Sequence, residues 1–272
     1  MKFTPFPAAR DDFEEPQGAS SALSAEPIPV VVVAEGPLVE ADEHSVLGLA
    51  ELLLKLPGRV ERLCRDETRQ AELIPRFLAI ALTSFAIFSA ALVLLLNAVN
   101  PEALPKFLAG PWSDGGVGPA LSLALAYTLG LVAATGVCLP SFYFYGLLSG
   151  VKVSVMQITT QTLKSKAATA VLLMGVLPIY VAVVLGMIVF RVPAAEMQYA
   201  LYLGLVLPFL AGLAGVHSLY KGFVGLADTL PPQRRCRREC FLRRLTLAMA
   251  ACYTAVSPVM IYTLWNTFVA QF

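Results

Sequence analysis

The chain has 272 residues, of which 57% are hydrophobic and 14% charged, with a formal net charge of +1. A soluble domain is about 45–50% apolar and about 25% charged, so this chain cannot hide its greasy surface in one core, and its composition points to the bilayer as solvent. The net charge excludes nothing, but its distribution is informative: 14 of the 19 acidic residues precede residue 73, whereas the remainder carries 13 of the 20 basic residues against Glu102, Asp114, Glu196, Asp228 and Glu239.

Residues 1–44 place Pro5, Pro7, Pro16, Pro27, Pro29 and Pro37 among acids, Ser and Ala. Such a segment buries too little to offset its ordering entropy, which predicts a disordered acidic, proline-rich tail. The opening MKFTPFPAARDDFEEP has no apolar core of a secretory signal, so the tail is expected in the cytoplasm. The run IPVVVVA at 28–34 reads first as a sticky patch and second as a strand that adds to a partner's sheet.

Residues 45–72 predict amphipathic juxtamembrane helices. SVLGLAELLLKL at 45–56 is too short to span and is expected on the membrane surface. RVERLCRDETRQAEL at 59–73 follows a break at Pro57–Gly58 and sets Arg62, Arg65 and Arg69 on one helical face, suited to anionic head groups.

A crossing needs about 20 residues, since about 30 Å of hydrocarbon is covered at about 1.5 Å per residue. Residues 73–272 supply five such stretches, at about 77–97, 118–140, 167–190, 198–219 and 245–269. The fold class expected is therefore all-α, a polytopic transmembrane bundle of five spans. The apolar stretch of the second continues to Gly150, which implies a tilt, a kink at Pro140 or a run along the interface.

The connecting segments alternate in basic charge. Lys55, Arg59, Arg62, Arg65, Arg69 and Arg76 precede the first span, Lys152, Lys164 and Lys166 lie in loop 141–166, and Lys221 with six arginines lies in loop 220–244. The other two loops hold only Lys106 and Arg191. Basic residues stay on the cytoplasmic side, which predicts N-terminus inside and C-terminus outside. Trp112 and Trp265 then fall near the outer interface, where indole rings gather. Cys64, Cys138, Cys236, Cys240 and Cys252 fall in the cytoplasmic half, away from oxidising conditions.

Three features are candidates for function. PPQRRCRRECFLRR at 231–244 concentrates Arg234, Arg235, Arg237, Arg238, Arg243 and Arg244. It serves first as a topology anchor, and with Arg62, Arg65 and Arg69 it is the candidate surface for anionic lipid or an acidic partner, the chain's own tail included. Cys236 and Cys240 sit four apart, but His217 is the one nearby histidine, so no metal site is expected. S-acylation of either cysteine is a further option.

Pro178, Pro208 and Pro258 fall mid-span in the last three crossings and free the carbonyls of Met174, Gly204 and Thr254. They are ordinary kink formers or, alternatively, the lining of a midplane cavity. No ionisable residue lies mid-span in the five stretches, which argues against proton relays and ion-coupled carriers. Hydroxyls in spans two and five, such as Tyr127, Thr128, Thr135, Tyr253, Thr254 and Ser257, read as interhelical packing groups. No catalytic motif appears, so no enzyme and no cofactor are expected. The expected partners are the bilayer, its anionic head groups and membrane or cytoplasmic proteins, not nucleic acid.

Residues 146–190 read GLLSGVKVSVMQITTQTLKSKAATAVLLMGVLPIYVAVVLGMIVF, and GVHSLYKGFVGLADTL leads through the basic loop to a span broken at Ser257–Pro258. In this layout, and at Gly150, Pro178, Tyr220, Gly222 and Pro258, the chain resembles the Yip1-like membrane proteins. That resemblance covers roughly the last 200 residues. It implies five spans with a cytoplasmic N-terminus, a short external C-terminus and a non-enzymatic role in organising membrane or partners. The D-L-Y-G-P motif of eukaryotic members is absent, and the Ala- and Leu-rich spans suit a bacterial inner membrane. The alternative reading is a small permease or channel for a neutral or amphiphilic solute.

Overall fold

The computed structural model describes residues 45–105, 108, 117–148, 154–227 and 235–269, all within one unit from Leu38 to Phe272. The acidic tail with its IPVVVVA run, Lys106, Trp112, Lys152 and Arg234 lie outside the described residues. Among the described residues seven α-helices follow in order: α1 (Val46–Lys55), α2 (Pro57–Arg65), α3 (Glu67–Ala98), α4 (Val117–Leu148), α5 (Val155–Val189), α6 (Ala194–Ala227) and α7 (Arg235–Val269), with a short 3₁₀ turn at Pro101–Ala103.

Among the described residues four stretches are long and apolar enough to cross a membrane: Thr68–Ala98, Gly118–Ser141, Val155–Val189 and Ala194–Lys221. The expected stretch at 245–269 lies inside α7, a helix of 35 residues, or about 52 Å.

Helical periodicity puts one face of each long helix inward. Leu73, Phe77, Ala81, Phe85, Phe88, Leu92 and Leu96 of α3 recur every three or four residues and are buried. Leu173, Leu177, Tyr180 and Val184 do the same on α5, and Ser257, Ile261 and Trp265 on α7. Helix α5 packs mainly on α3 and α6, and α4 mainly on α7 and α3. Among the described residues two buried apolar clusters result. The larger joins α3 to α7 through residues such as Phe88, Leu131, Leu173, Leu201 and Ile261. The smaller seats Leu49, Leu52, Val60 and Cys64 of α1 and α2 on Leu73, Phe77, Ile80 and Ala167.

The entry region holds one break more than expected. The first lies where the sequence suggests it: α1 ends at Lys55 and Pro57 opens α2, where a missing N–H costs nothing. A second falls at Asp66, whose carboxylate accepts from Thr68 N at 3.1 Å and Thr68 Oγ1 at 2.7 Å and so caps α3. These two bonds from Thr68 hold the Asp66 carboxyl below its usual range. In consequence Arg62 and Arg65 lie on α2, but Arg69 lies on α3, and the three do not share one continuous helical face.

Helix α1 is not simply a surface helix. Its Leu49 and Leu52 face the bundle, while Leu47 and Leu54 are 82% and 64% exposed. Trp265, at 4% exposure, is packed into the core.

The turn between α5 and α6 takes four residues. Arg191 adopts the left-handed conformation (φ 51°), and Val192 N donates to Met187 O at 3.0 Å. This is the helix-ending arrangement usually given to glycine, with Pro193 following to prevent continuation.

Candidate functional site at the polar end of helix α5

Helix α5 begins twelve residues before the expected third span. Ser154 caps it, accepting from Gln157 N at 3.1 Å, and the Thr- and Gln-rich segment that reads as a loop is helix. Lys164 and Lys166 are therefore not loop cations. Both are buried, at 4% and 8% exposure, in company with Thr160, Gln161, Thr162, Ser165 and Thr169.

Residues two apart on a helix point about 200° away from each other, so the two lysines meet different surroundings. Lys164 pairs with Glu61 of α2, whose side chain is 16% exposed. Gln161 Nε2 donates to the other Glu61 oxygen at 3.1 Å. Arg65 flanks the same carboxylate at 3.9 Å. One turn on, Gln70 Nε2 donates to Cys64 O at 3.0 Å, and burial pushes the Cys64 thiol up to about 12. Together these contacts bolt α2 to the bundle.

Lys166 points elsewhere. Its Nζ lies 3.0 Å from the centroid of the Tyr253 ring of α7, a cation–π contact. Beside it is a cavity of ≈30 Å³ lined by residues of α4, α5, α6 and α7, including Thr135, Ser165, Thr169, Gly212, Thr246 and Tyr253. The hydroxyls here are committed to backbone carbonyls: Tyr253 to Leu131 O at 3.0 Å, Ser165 to Gly215 O at 2.6 Å and Thr169 to Ser165 O at 3.0 Å.

Farther along the bundle, hydroxyls stitch helices together: Ser89 to Thr128 at 2.8 Å, Tyr127 to Leu205 O at 3.1 Å and Tyr180 to Ala200 O at 3.2 Å.

The three mid-helix prolines do not meet at one site. Pro178 is exposed and Pro208 is buried. Pro258 is exposed in the wall of a groove of ≈450 Å³ between α4, α6 and α7, whose other walls include Tyr127, Tyr202, Phe209, Thr254, Tyr262 and Trp265 but neither Pro178 nor Pro208. Leu177, Tyr180, Leu205 and Ile261 beside the prolines fill the main core. At the opposite end from Lys166, a recess of ≈450 Å³ has Glu102 and Arg191 in its wall.

Of the expected arginine surface, Arg62, Arg65 and Arg69 are exposed. Arg69 lies 3.7 Å from Asp66. The backbone places Arg235, Arg237, Arg238, Arg243 and Arg244 in the first turns of α7, but their side chains and those of Cys236 and Cys240 lie outside the described residues. Glu61, Gln161, Lys164 and Lys166 were not singled out as a site by the sequence reading. The available signal was two lysines of opposite helical phase in a segment rich in Thr and Gln, facing an isolated acid among arginines at 59–65. No protein-family model, curated protein or solved structure matches the chain.

Proposed function

We propose that this chain is a non-enzymatic integral membrane protein that organises anionic lipid or a protein partner at one membrane face, through a platform built from α1 and α2. The observation that carries the reading is the Glu61–Lys164 ion pair, which fixes α2 on the bundle while Arg62 and Arg65 remain outward and exposed. Leu47 and Leu54 of α1 offer an apolar edge, the combination that seats a helix among head groups.

In this reading α7 completes a fifth span, the N-terminus is cytoplasmic and the C-terminus external, in a bacterial inner membrane. The basic residues before α3 and at the start of α7 support that orientation. The layout resemblance to Yip1-like proteins supports a role in membrane organisation.

The test is reconstitution of the full chain in mixed vesicles, with lipid recovered after purification and partners captured by crosslinking in native membranes. Replacing Arg62, Arg65 and Arg69 by Gln should remove the enrichment of anionic lipid and the crosslinked partners. Unchanged recovery of both defeats the platform reading.

The second reading, a permease for a neutral or amphiphilic solute, draws on the groove beside Pro258. Uptake of a neutral amphiphile by the same proteoliposomes, abolished by Pro258→Leu, would favour it over the platform.

A further inference from the structure

Among the described residues Lys166 is a buried amine without a charged partner. Among the described residues no ion pair or hydrogen bond reaches its Nζ; its contact is the Tyr253 ring. The Glu61 carboxylate is engaged by Lys164 and Gln161. Glu51, Asp66, Glu72, Glu102 and Glu196 are all exposed. Among the described residues, Cys138 of α4 is a second titratable group beside Tyr253 close enough to feel the Lys166 charge. The ring's quadrupole offsets only part of the cost of burying an ammonium, and three N–H donors need acceptors.

The cavity beside it fits that need. Its ≈30 Å³ holds about two water-sized oxygens, so it admits an oxygen or two of a larger anion and not a whole solute. The site's depth suggests where the remainder would lie. Lys166 precedes the end of α5 at Val189 by 23 residues, or about 34 Å. If Val189 lies at one surface of a hydrocarbon layer about 30 Å thick, Lys166 lies at head-group level on the other. Arg243 and Arg244 of α7 precede the cavity residue Thr246 by less than one turn.

We propose that the Lys166 cavity is a binding site for phosphate oxygen, held by the ammonium against the face of Tyr253. The source is the phosphodiester of an anionic lipid or free inorganic phosphate. This site is distinct from the α1–α2 platform and lies on the other side of α5.

The experiment uses the full chain, purified and delipidated, with thermal unfolding followed as phosphatidylglycerol, phosphatidylcholine or inorganic phosphate is added. Native mass spectrometry counts retained lipid. Wild type should rise in Tm with phosphatidylglycerol more than with phosphatidylcholine, or with inorganic phosphate alone. The first result identifies the lipid head group, the second the free ion.

Lys166→Met should lower affinity about ten- to a hundredfold, the loss expected for a charge-assisted hydrogen bond. It should leave the unliganded Tm unchanged or higher, since it removes an uncompensated charge. Lys166→Arg should keep part of the effect. The variant with Arg62, Arg65 and Arg69 changed to Gln should keep this response even if the platform reading holds and vesicle enrichment is lost.

Equal responses of wild type and Lys166→Met overturn the proposal. So does a wild-type Tm indifferent to both phosphate sources, which would leave only water in the cavity; that result needs no variant that folds.

Discussion

Replacing Glu61 by Gln tests how α2 is held. The change keeps the shape and the bond from Gln161 but strands Lys164, whose side chain is 5% exposed. Breaking one side of a buried pair costs about 3–5 kcal/mol. Glu61 retains 16% exposure, so the lower end, about 3 kcal/mol, applies. Cys64 reports the result directly: it is fully buried on the face that α2 turns to the bundle, and burial pushes its thiol up to about 12. Alkylation must then wait for α2 to lift, and a loss of about 3 kcal/mol raises the open population about a hundredfold.

In a background lacking Cys138, Cys236, Cys240 and Cys252, Glu61→Gln should therefore label at Cys64 about a hundred times faster than Glu61. The doubly apolar Glu61→Met with Lys164→Met should return within about tenfold of the parent, because paired removal of both charges is near neutral. If the single variant labels at the parent's rate, the apolar contacts of Leu49, Leu52 and Val60 alone hold the platform, and the ion pair is incidental.

Three further outcomes follow from single positions. Burial raises Cys64 from 9.0 to about 12, so the lifted form releases the proton first. Docking is at full strength below pH 9 and weakens from there toward pH 12, by at most about 1.4 kcal/mol per pH unit. Proteolytic nicking of 45–66 should accelerate at about pH 10, and Cys64→Ala should flatten that dependence. Gly215→Ala should destabilise by about 1–3 kcal/mol in thermal melts, because its Cβ would stand 2.9 Å from Ser165 O and closer still to Thr169 Oγ1. Gly212→Ala, with nothing within 4 Å, should change Tm little. Arg191→Gly should stabilise by about 0.5–1 kcal/mol by relieving a left-handed residue, whereas Arg191→Ala should not.

Long-range character was legible because it needs only counting. Apolar runs of sufficient length place α3, α4, α5 and α6, but a helix that is apolar nearly all round does not announce which face is buried. Boundaries and partners were less legible for definite reasons. Pro57 marks the start of α2 as the sequence suggests, but the second break at Asp66 lies inside a segment with continuous helical spacing and shows only once its carboxylate is seen to cap α3. Lys164 and Lys166 count as loop cations in a charge census, which cannot know that Glu61, a hundred residues earlier, awaits one of them. The loop charges set the level of Trp265 along its span but not its burial; it lies in the core cluster, against which Leu264 and Phe268 also pack. Three prolines at similar depth suggest a shared cavity only if their helical phases converge, and Pro178 and Pro208 face different surroundings.

The two halves of α5 connect these findings to function. From Leu173 to Val184 its inward face is Leu, Tyr and Val packed into the large apolar cluster. From Ile158 to Thr169 it is buried among Gln, Thr, Ser and Lys. A charged or strongly polar solute entering at the lysine end would meet that apolar half next, at the full cost of leaving water. Binding without passage is therefore the use that such an arrangement favours. Both lysines are already committed in opposite directions, Lys164 toward the α2 platform and Lys166 toward the cavity under α7. A ligand at Lys166 would brace α5 against α7, while the Glu61 pair braces α5 against α2, so the polar end of one helix would couple a bound anion to the position of the platform.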